Sequence, residues 1–173
     1  MVLTFFCAND KIQQRIKMQS LCEQESNRLI RYHGQSLRLR GNAIDQIRQG
    51  RWLHCEDLLW GSLSLAVKGV ALSRGDLLSN QQAIKDYSEK LGNEHRDRRI
   101  RNAFTKLAGF YETAERAQEC NMSADRLVAL LEDISGAVER LWQLLPDNET
   151  ADNPLEACLQ QSSNLLDGDG IDR

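Results

Sequence analysis

The densest basic segment of the chain begins at Lys90 and continues through the run HRDRRIR at residues 95–101. Arginine presents five N–H donors in a fixed fork that matches the oxygens of a phosphate group. A helix N-terminus at this place would add backbone N–H groups. We therefore predict a phosphate-binding surface, and a solvated helix face neutralised by nearby acidic residues is the alternative. The predicted binding residues are Lys90, His95, Arg96, Arg98, Arg99 and Arg101.

Three histidines would have to carry any general acid–base chemistry. His33 lies on an apolar stripe, which favours a packed core histidine over a functional one. His54 is three residues before Asp57 at a predicted helix start, a spacing more typical of a local surface pair than of a catalytic pair. Cys55 follows His54 directly but points in another direction on a helix, so we expect no Cys–His nucleophile.

The five cysteines are far apart and form no C-x-x-C pair, which indicates neither a disulfide framework nor a zinc site. Gly-rich phosphate loops, HExxH, GxSxG and EF-hand patterns are absent. We expect no cofactor, no metal and a reducing, cytoplasmic location. The apolar run Leu58–Leu72 contains Lys68 and is too short to span a membrane, so no membrane segment is expected.

The composition predicts an all-α protein. The chain has 173 residues, 41% of them hydrophobic and 27% charged, and only 2 prolines. Residues 147–173 hold seven acidic residues and one basic residue. Because the net charge of the whole chain is −3, the part before this tail is mildly basic.

The segment Arg51–Gly75 predicts a helix at the centre of a bundle, since it is apolar or small on nearly every side. A stripe of small residues would let a neighbouring backbone approach closely, and a branched stripe would fill space elsewhere. The small stripe comprises Ser62, Ala66, Gly69 and Ser73, and the branched stripe comprises Leu59, Leu63, Val67 and Val70.

Four further helices follow from apolar residues at helical spacing. The first core helix would bury Ile30, His33, Leu37, Ile44 and Ile47 and end at Gly50 in a short turn, antiparallel to the central helix. A capping box at Ser79 would begin a helix that buries Ile84, Tyr87 and Leu91 and ends at Gly92. The last two would bury Ile100, Phe104, Leu107, Tyr111 and Ala114, and then, after an N-cap at Ser123, Leu127, Leu131, Ile134, Val138, Leu141 and Leu145.

The chain is therefore expected to divide into three parts. Residues 1–27 form an N-terminal arm or helix, residues 28–146 a helical bundle, and residues 147–173 an acidic and mostly disordered tail. The tail has too little apolar surface to offset the entropy of ordering.

Several short motifs resemble the PaREP1-like branch of the HEPN superfamily over about residues 30–145. They are Gly50-Arg51, then the text EDLLWG at residues 56–61 and LAVK at residues 65–68, and later Phe110-Tyr111-Glu112. The resemblance implies an antiparallel bundle of four or five helices, often dimeric. That superfamily includes RNA-cleaving toxins, partners of nucleotidyltransferases, and accessory domains associated with nucleotides or RNA.

The ribonucleases of that superfamily use an arginine followed four to six residues later by a histidine, late in the bundle. Arg101 and Asn102 resemble the start of this motif, but no histidine follows His95. We therefore expect a non-catalytic, cytoplasmic binding or accessory module, a homodimer, that acts on RNA, a nucleotide or a protein partner. The alternatives are a divergent metal-independent ribonuclease that uses Arg101, Asn102 and either His95 or His54, and a pure protein–protein scaffold.

Overall fold

A computed structural model describes the backbone of residues 4–119 and 125–145. The chain divides into two compact units, one comprising Leu29–Leu145 and the other Met1–Arg28 with Pro146–Arg173. In the second of these units the described residues are 4–28, and all of them are helical. The predicted N-cap Ser123 and the predicted disordered tail lie outside the described residues.

The described part of the chain contains helices and no strand, which confirms the all-α prediction. None of its helices is long and apolar enough to cross a membrane. A single 3₁₀ turn (Trp52–His54) joins the first two helices. The α-helices are α1 (Thr4–Arg48), α2 (Cys55–Ser73), α3 (Gln81–Glu94), α4 (Arg98–Ala108), α5 (Phe110–Glu119) and α6 (Asp125–Gln143).

Helix α2 lies at the centre of the bundle, as its sequence predicts. It packs against α3, α4 and α6. All four residues of the branched stripe are buried, and so are Ser62, Ala66 and Gly69 of the small stripe. The small stripe accepts close neighbours, since a Cβ atom added at Gly69 would lie 2.6 Å from the ring of Trp142 on α6.

Helix α1 meets the core along only part of the predicted face: Ile47 is buried and Ile44 packs against the core, as predicted. Ile30 is 66% exposed, and His33 and Leu37 are also exposed, so the prediction that these three face the core is wrong. Small residues take their place, because small side chains allow α1 and α2 to approach closely. The buried residues of α1 in this unit are Ser36, Ala43 and Ile47.

Ser36 on α1 and Ser62 on α2 mark the contact between these helices. Each hydroxyl donates a 2.9 Å hydrogen bond to the backbone carbonyl of the other residue. The indole N–H of Trp142 lies 3.3 Å from the Ser36 hydroxyl oxygen, which ties α6 to the same point. The polar groups at this buried crossing are therefore satisfied by one another.

Helices α3 and α4 cross at Gly92. The sequence predicts that this glycine ends α3, but the helix continues to Glu94 and Gly92 is buried inside it. A Cβ atom at Gly92 would lie 2.5 Å from the backbone nitrogen of Arg101 on α4. Glycine is therefore required here by a helix contact and not by a turn.

Helix α1 begins at Thr4, so the predicted N-terminal arm or helix and the first core helix lie in one helix, and α2 begins at Cys55 and not at Arg51. Two boundaries farther along the chain also differ from the prediction. The N-cap of α3 is Asn80, one residue after the predicted Ser79, and its side-chain oxygen accepts a 2.8 Å hydrogen bond from the amide of Ala83. The helix predicted to run from Ile100 to Ala114 is broken at Gly109 into α4 and α5. The break turns Phe110 fully into the core.

Candidate phosphate-binding surface

The turn between α3 and α4 positions the basic segment that the sequence singles out. The amide of Asp97 donates to the carbonyl of Gly92 at 2.8 Å, and the amide of Arg96 donates to the carbonyl of Asn93 at 3.3 Å. This pattern is a Schellman motif, whose left-handed position is normally glycine. Here that position is Arg96, with φ of +52°, and no other non-glycine residue in the described chain has a positive φ.

Asp97 caps the start of α4. Its side-chain oxygen accepts hydrogen bonds from the amides of Arg99 at 2.8 Å and Ile100 at 3.4 Å. The expectation that free N–H groups at this helix terminus contribute to phosphate binding is therefore wrong for these two amides. A phosphate bound here would be held mainly by guanidinium groups.

Arg96, Arg98 and Arg99 are exposed, and none of them pairs with a carboxylate in the part of the chain that the structure describes. The guanidinium of Arg99 lies over Gly136 on α6, 3.2 Å from where a Cβ atom of that glycine would be. Arg101 is also exposed and donates to the side-chain oxygen of Asn93 at 3.4 Å. These arginines keep their charge available to an anion.

Two more arginines, which the sequence gives no reason to select, join this group. Arg74, at the C-terminal end of α2, binds Glu94 at 2.8 Å. Arg140, on α6, lies 3.5 Å from a carboxylate oxygen of Asp97. Both are far from the basic segment in sequence, so only the packing of α2 and α6 could reveal them. We call the eight residues together the basic turn surface: Arg74, Lys90, His95, Arg96, Arg98, Arg99, Arg101 and Arg140.

Two carboxylates lie within the basic turn surface. They neutralise only part of its charge, so the surface remains positive. The hydrogen bond from Arg74 lowers the pKa of Glu94 below its ordinary value. Lys90 is 3.8 Å from the same carboxylate, and its ammonium group lies 5.5 Å from the ring centroid of Tyr87. Asp97 is the second carboxylate, and it is only 18% exposed.

The ring nitrogen Nε2 of His95 lies 3.1 Å from a guanidinium nitrogen of Arg74. Since a guanidinium can only donate, Nε2 is the acceptor of this hydrogen bond. His95 therefore contacts Arg74, while Arg101 contacts Asn93. Asn102 is half-buried on α4. A ribonuclease site would instead need a histidine aimed at the substrate beside Arg101 and Asn102.

The other two histidines lie on different elements. His54 is exposed at the end of the 3₁₀ turn, directly before α2. His33, for which the sequence predicts a packed position in the core, is exposed and meets the ring of Trp142 edge-on, with 4.7 Å between the ring centroids.

Cys55 offers no nucleophile. The residue is fully buried, and its Sγ lies 3.5 Å from the carbonyl oxygen of Ala43. Burial raises the pKa of its thiol to about 11, so the reactive thiolate is scarce at neutral pH. No group of three or more His, Cys, Asp or Glu residues that could hold a metal ion occurs among the described residues.

Comparison with known proteins adds no relative: no family model, no curated protein and no solved structure matches the chain.

Proposed function

We propose that the protein is a non-catalytic RNA-binding module that holds the phosphate backbone of a structured RNA on the basic turn surface. The observation that carries the proposal is Arg96 in a left-handed backbone conformation, in a turn that is followed directly by Arg98 and Arg99. A non-glycine residue in this conformation is strained by about 1 kcal/mol or more. Strain of this kind is concentrated at functional sites.

The start of α4, like the Arg96 turn before it, carries residues that lower local stability. Its first turn contains no acidic residue but holds Arg98, Arg99 and Arg101. Positive side chains oppose the positive end of the helix dipole, at about 0.3–1 kcal/mol each. The N-cap Asp97 offsets part of this cost. The left-handed conformation of Arg96 and the basic first turn of α4 both lower local stability, and both place positive charge on the surface. Their occurrence in one short segment supports a function for that charge.

The residue types favour the RNA backbone over its bases. Arginine forks bind phosphate oxygens in pairs, whereas stacking on bases needs exposed aromatic rings. The basic turn surface contains no Phe, Tyr or Trp, and the nearby Tyr87 is only 8% exposed. Contacts of this kind position an RNA without reading its sequence. Membership of the PaREP1-like branch of the HEPN superfamily and a cytoplasmic location stay predictions.

The direct test is a fluorescence-anisotropy titration of a labelled RNA hairpin at several salt concentrations. We expect binding that weakens with salt, and the variant Arg96→Gln/Arg98→Gln/Arg99→Gln should bind at least about tenfold more weakly. The slope of log affinity against log salt should become shallower by roughly three, one for each lost phosphate contact. Addition of ATP as a competitor distinguishes RNA from a mononucleotide ligand.

The matched control is Arg48→Gln/Arg116→Gln/Arg126→Gln, which removes the same charge from three exposed arginines outside the surface. Its affinity should stay within about twofold of the wild type. Equal losses in both triple variants would show that only net charge matters and would refute the site. RNA cleavage that disappears in His95→Ala or His54→Ala would establish the ribonuclease alternative instead.

A further inference from the structure

The side chain of Arg99 lies across α6 at a glycine. A Cβ atom added at Gly136 would lie 3.2 Å from the guanidinium nitrogen Nη1 of Arg99. Apart from the neighbouring backbone of α6, the three atoms nearest to that position all belong to this one side chain. Gly136 is an interior residue of α6, where glycine destabilises a helix relative to alanine. The contact with Arg99 is therefore a structural reason for glycine at this position.

Packing against α6 restricts Arg99 before any ligand binds. A long arginine side chain loses conformational entropy when a ligand fixes it in one place. An arginine that already lies against a helix loses less of that entropy, so its affinity for the ligand is higher. Arg99 nevertheless remains exposed, and its donor groups can reach a ligand from solvent.

Arg140 begins one helical turn beyond Gly136 on the same face of α6. Residues at this spacing have Cβ atoms about 6 Å apart. The Nε nitrogen of Arg140 lies 3.5 Å from a carboxylate oxygen of Asp97, and the side chain is 58% exposed. Since a strong charge-assisted hydrogen bond is about 2.8 Å long, this weak contact leaves Arg140 able to bind another anion. Arg99 and Arg140 thus both lie where α4 packs against α6.

We propose that Arg99 and Arg140 hold one phosphate group of the RNA backbone between them, in the groove between α4 and α6. We call this pair the arginine clamp, and Gly136 is the positioning residue that keeps Arg99 in it. The inference rests on the proposed function and names one phosphate subsite within the basic turn surface. A phosphate has enough acceptor oxygens to bind both guanidinium forks at once.

The acidic groups beside the clamp are already engaged. One carboxylate oxygen of Asp97 accepts from the amides of Arg99 and Ile100, and the other faces Arg140. Farther along the groove, Asp133 pairs with Lys106. The positive charge of the clamp is therefore only partly compensated by the protein, and Lys106 is not available as a third phosphate ligand.

Fluorescence anisotropy with the full chain, a labelled RNA hairpin with a 5′-hydroxyl end, and low salt tests the positioning role. Gly136→Leu changes no charge but fills the space where the guanidinium of Arg99 lies. It should weaken binding by the same factor as Arg99→Gln, at least about threefold. In the Arg99→Gln background it should cause no further loss, because the side chain that it displaces is gone. Gly136→Ala should weaken binding less, since only a small shift of Arg99 is needed.

The matched control is Gly41→Leu, which adds the same side chain at a glycine of α1 where a Cβ atom would meet nothing within 4 Å. This variant should keep the wild-type affinity. The thermal midpoints of both Gly136 variants should not fall, because alanine and leucine favour a helix more than glycine does. Weaker binding by a protein of undiminished stability is a result that a purely structural role of Gly136 does not produce.

A second cycle tests whether the two arginines share a phosphate. Arg140→Gln should also weaken binding at least about threefold. Arg99→Gln/Arg140→Gln should weaken it by less than the product of the two single factors, because each arginine contributes less once the other no longer holds the phosphate. Factors that multiply would place the arginines on separate phosphates and overturn the clamp.

The outcomes also separate this inference from the proposed function. Full affinity in Gly136→Leu would overturn the positioning role. If Arg96→Gln/Arg98→Gln/Arg99→Gln still lost affinity, the proposed function would stand without it. A wild type that binds no RNA hairpin would refute both the proposed function and the arginine clamp.

Discussion

The turns that end α2 and α3 share one backbone design but differ in the residue at the left-handed position. At the end of α2, Gly75 has φ of +80°, and the amide of Asp76 donates to the carbonyl of Ala71 at 2.9 Å. At the end of α3 the equivalent of Gly75 is Arg96. The two turns also touch, since Arg74 binds both Glu94 and His95.

The difference separates a turn built for stability from one that displays charge. Gly75 adopts the left-handed conformation without a steric cost, and it has no side chain to place on the surface. Arg96 adopts the same conformation with a steric cost, and its guanidinium group lies on the surface beside Arg98 and Arg99. Since both turns close the same kind of helix end, backbone geometry does not explain the arginine. Predictions about the second turn can therefore be measured against the first.

The largest effect should come from the base of the Arg96 turn. Gly92→Ala places a Cβ atom 2.5 Å from the backbone nitrogen of Arg101, and backbone atoms cannot move aside as a side chain can. We expect the free energy of unfolding to fall by about 3 kcal/mol, as measured by urea denaturation. Gly34→Ala, at a glycine in open space, is the control and should not destabilise the monomer. A loss below about 1 kcal/mol for Gly92→Ala would mean that the crossing of α3 and α4 is looser than described.

The N-cap of α4 should have the next largest effect. Asp97→Ala removes the acceptor of the amides of Arg99 and Ile100 and should lower the free energy of unfolding by about 1.5 kcal/mol. Asp97→Asn keeps a capping oxygen and should lower it by less than about 0.5 kcal/mol. Because Asn removes a negative charge from the basic turn surface, it should also tighten RNA binding. If Asp97→Asn and Asp97→Ala are equally destabilising, Asp97 acts through its charge beside Arg140 and not as a cap.

Exchanging the left-handed residues tests the comparison itself. Arg96→Gly should raise the free energy of unfolding by about 1 kcal/mol, and Gly75→Arg should lower it by about the same amount. Thermal and urea denaturation of the two variants measure both changes. The same Arg96→Gly variant should bind the RNA hairpin more weakly, although it is more stable. A variant that gains stability and keeps full affinity would remove Arg96 from the proposed site.

The sequence is a good guide where burial depends on large residues at helical spacing. The buried faces of α3, α4 and α6 are predicted correctly, because apolar spacing within one helix is a local property of the sequence. The prediction for α1 holds at Ile44 and Ile47 but fails earlier in the helix, where the small Ser36 is buried while the larger Ile30 and Leu37 remain outside. Size alone does not reveal which stripe meets a neighbour when helices approach closely.

Only part of the candidate site could be predicted from the sequence, again because a local pattern does not show which helices pack together. Its contiguous part, residues 95–101, is visible in the sequence as a run of charge. Arg74 and Arg140 belong to it only because α2 and α6 pack beside that run, and no local pattern records such packing. The left-handed conformation of Arg96 is also not predictable, because arginine normally avoids it.

The smallest effect concerns the contact between the two turns, and it depends on pH. The hydrogen bond from Arg74 lowers the pKa of Glu94 below its ordinary value of 4.5, and partial burial opposes this shift. Because the pKa is lower in the folded state, the ionised carboxylate stabilises the fold above pH 4.5, and this contribution is lost as the pH falls through the folded-state pKa. Glu94→Gln should therefore be less stable than the wild type at pH 7, and the difference should shrink as the solution is acidified below pH 4.5.

Urea denaturation of both proteins across this pH range measures the trend, and Arg74→Gln supplies the control. In the Arg74→Gln background most of the pH-dependent effect of the Glu94→Gln substitution should disappear, since the partner that lowers the pKa is gone. Persistence of the full effect would assign the shift to Lys90 and His95, which also favour the ionised carboxylate. The two turns would then be in contact, but Arg74 in the first would not stabilise the ionised Glu94 in the second. Loss of the effect would mean instead that the glycine turn helps to hold the charged turn in place through Arg74.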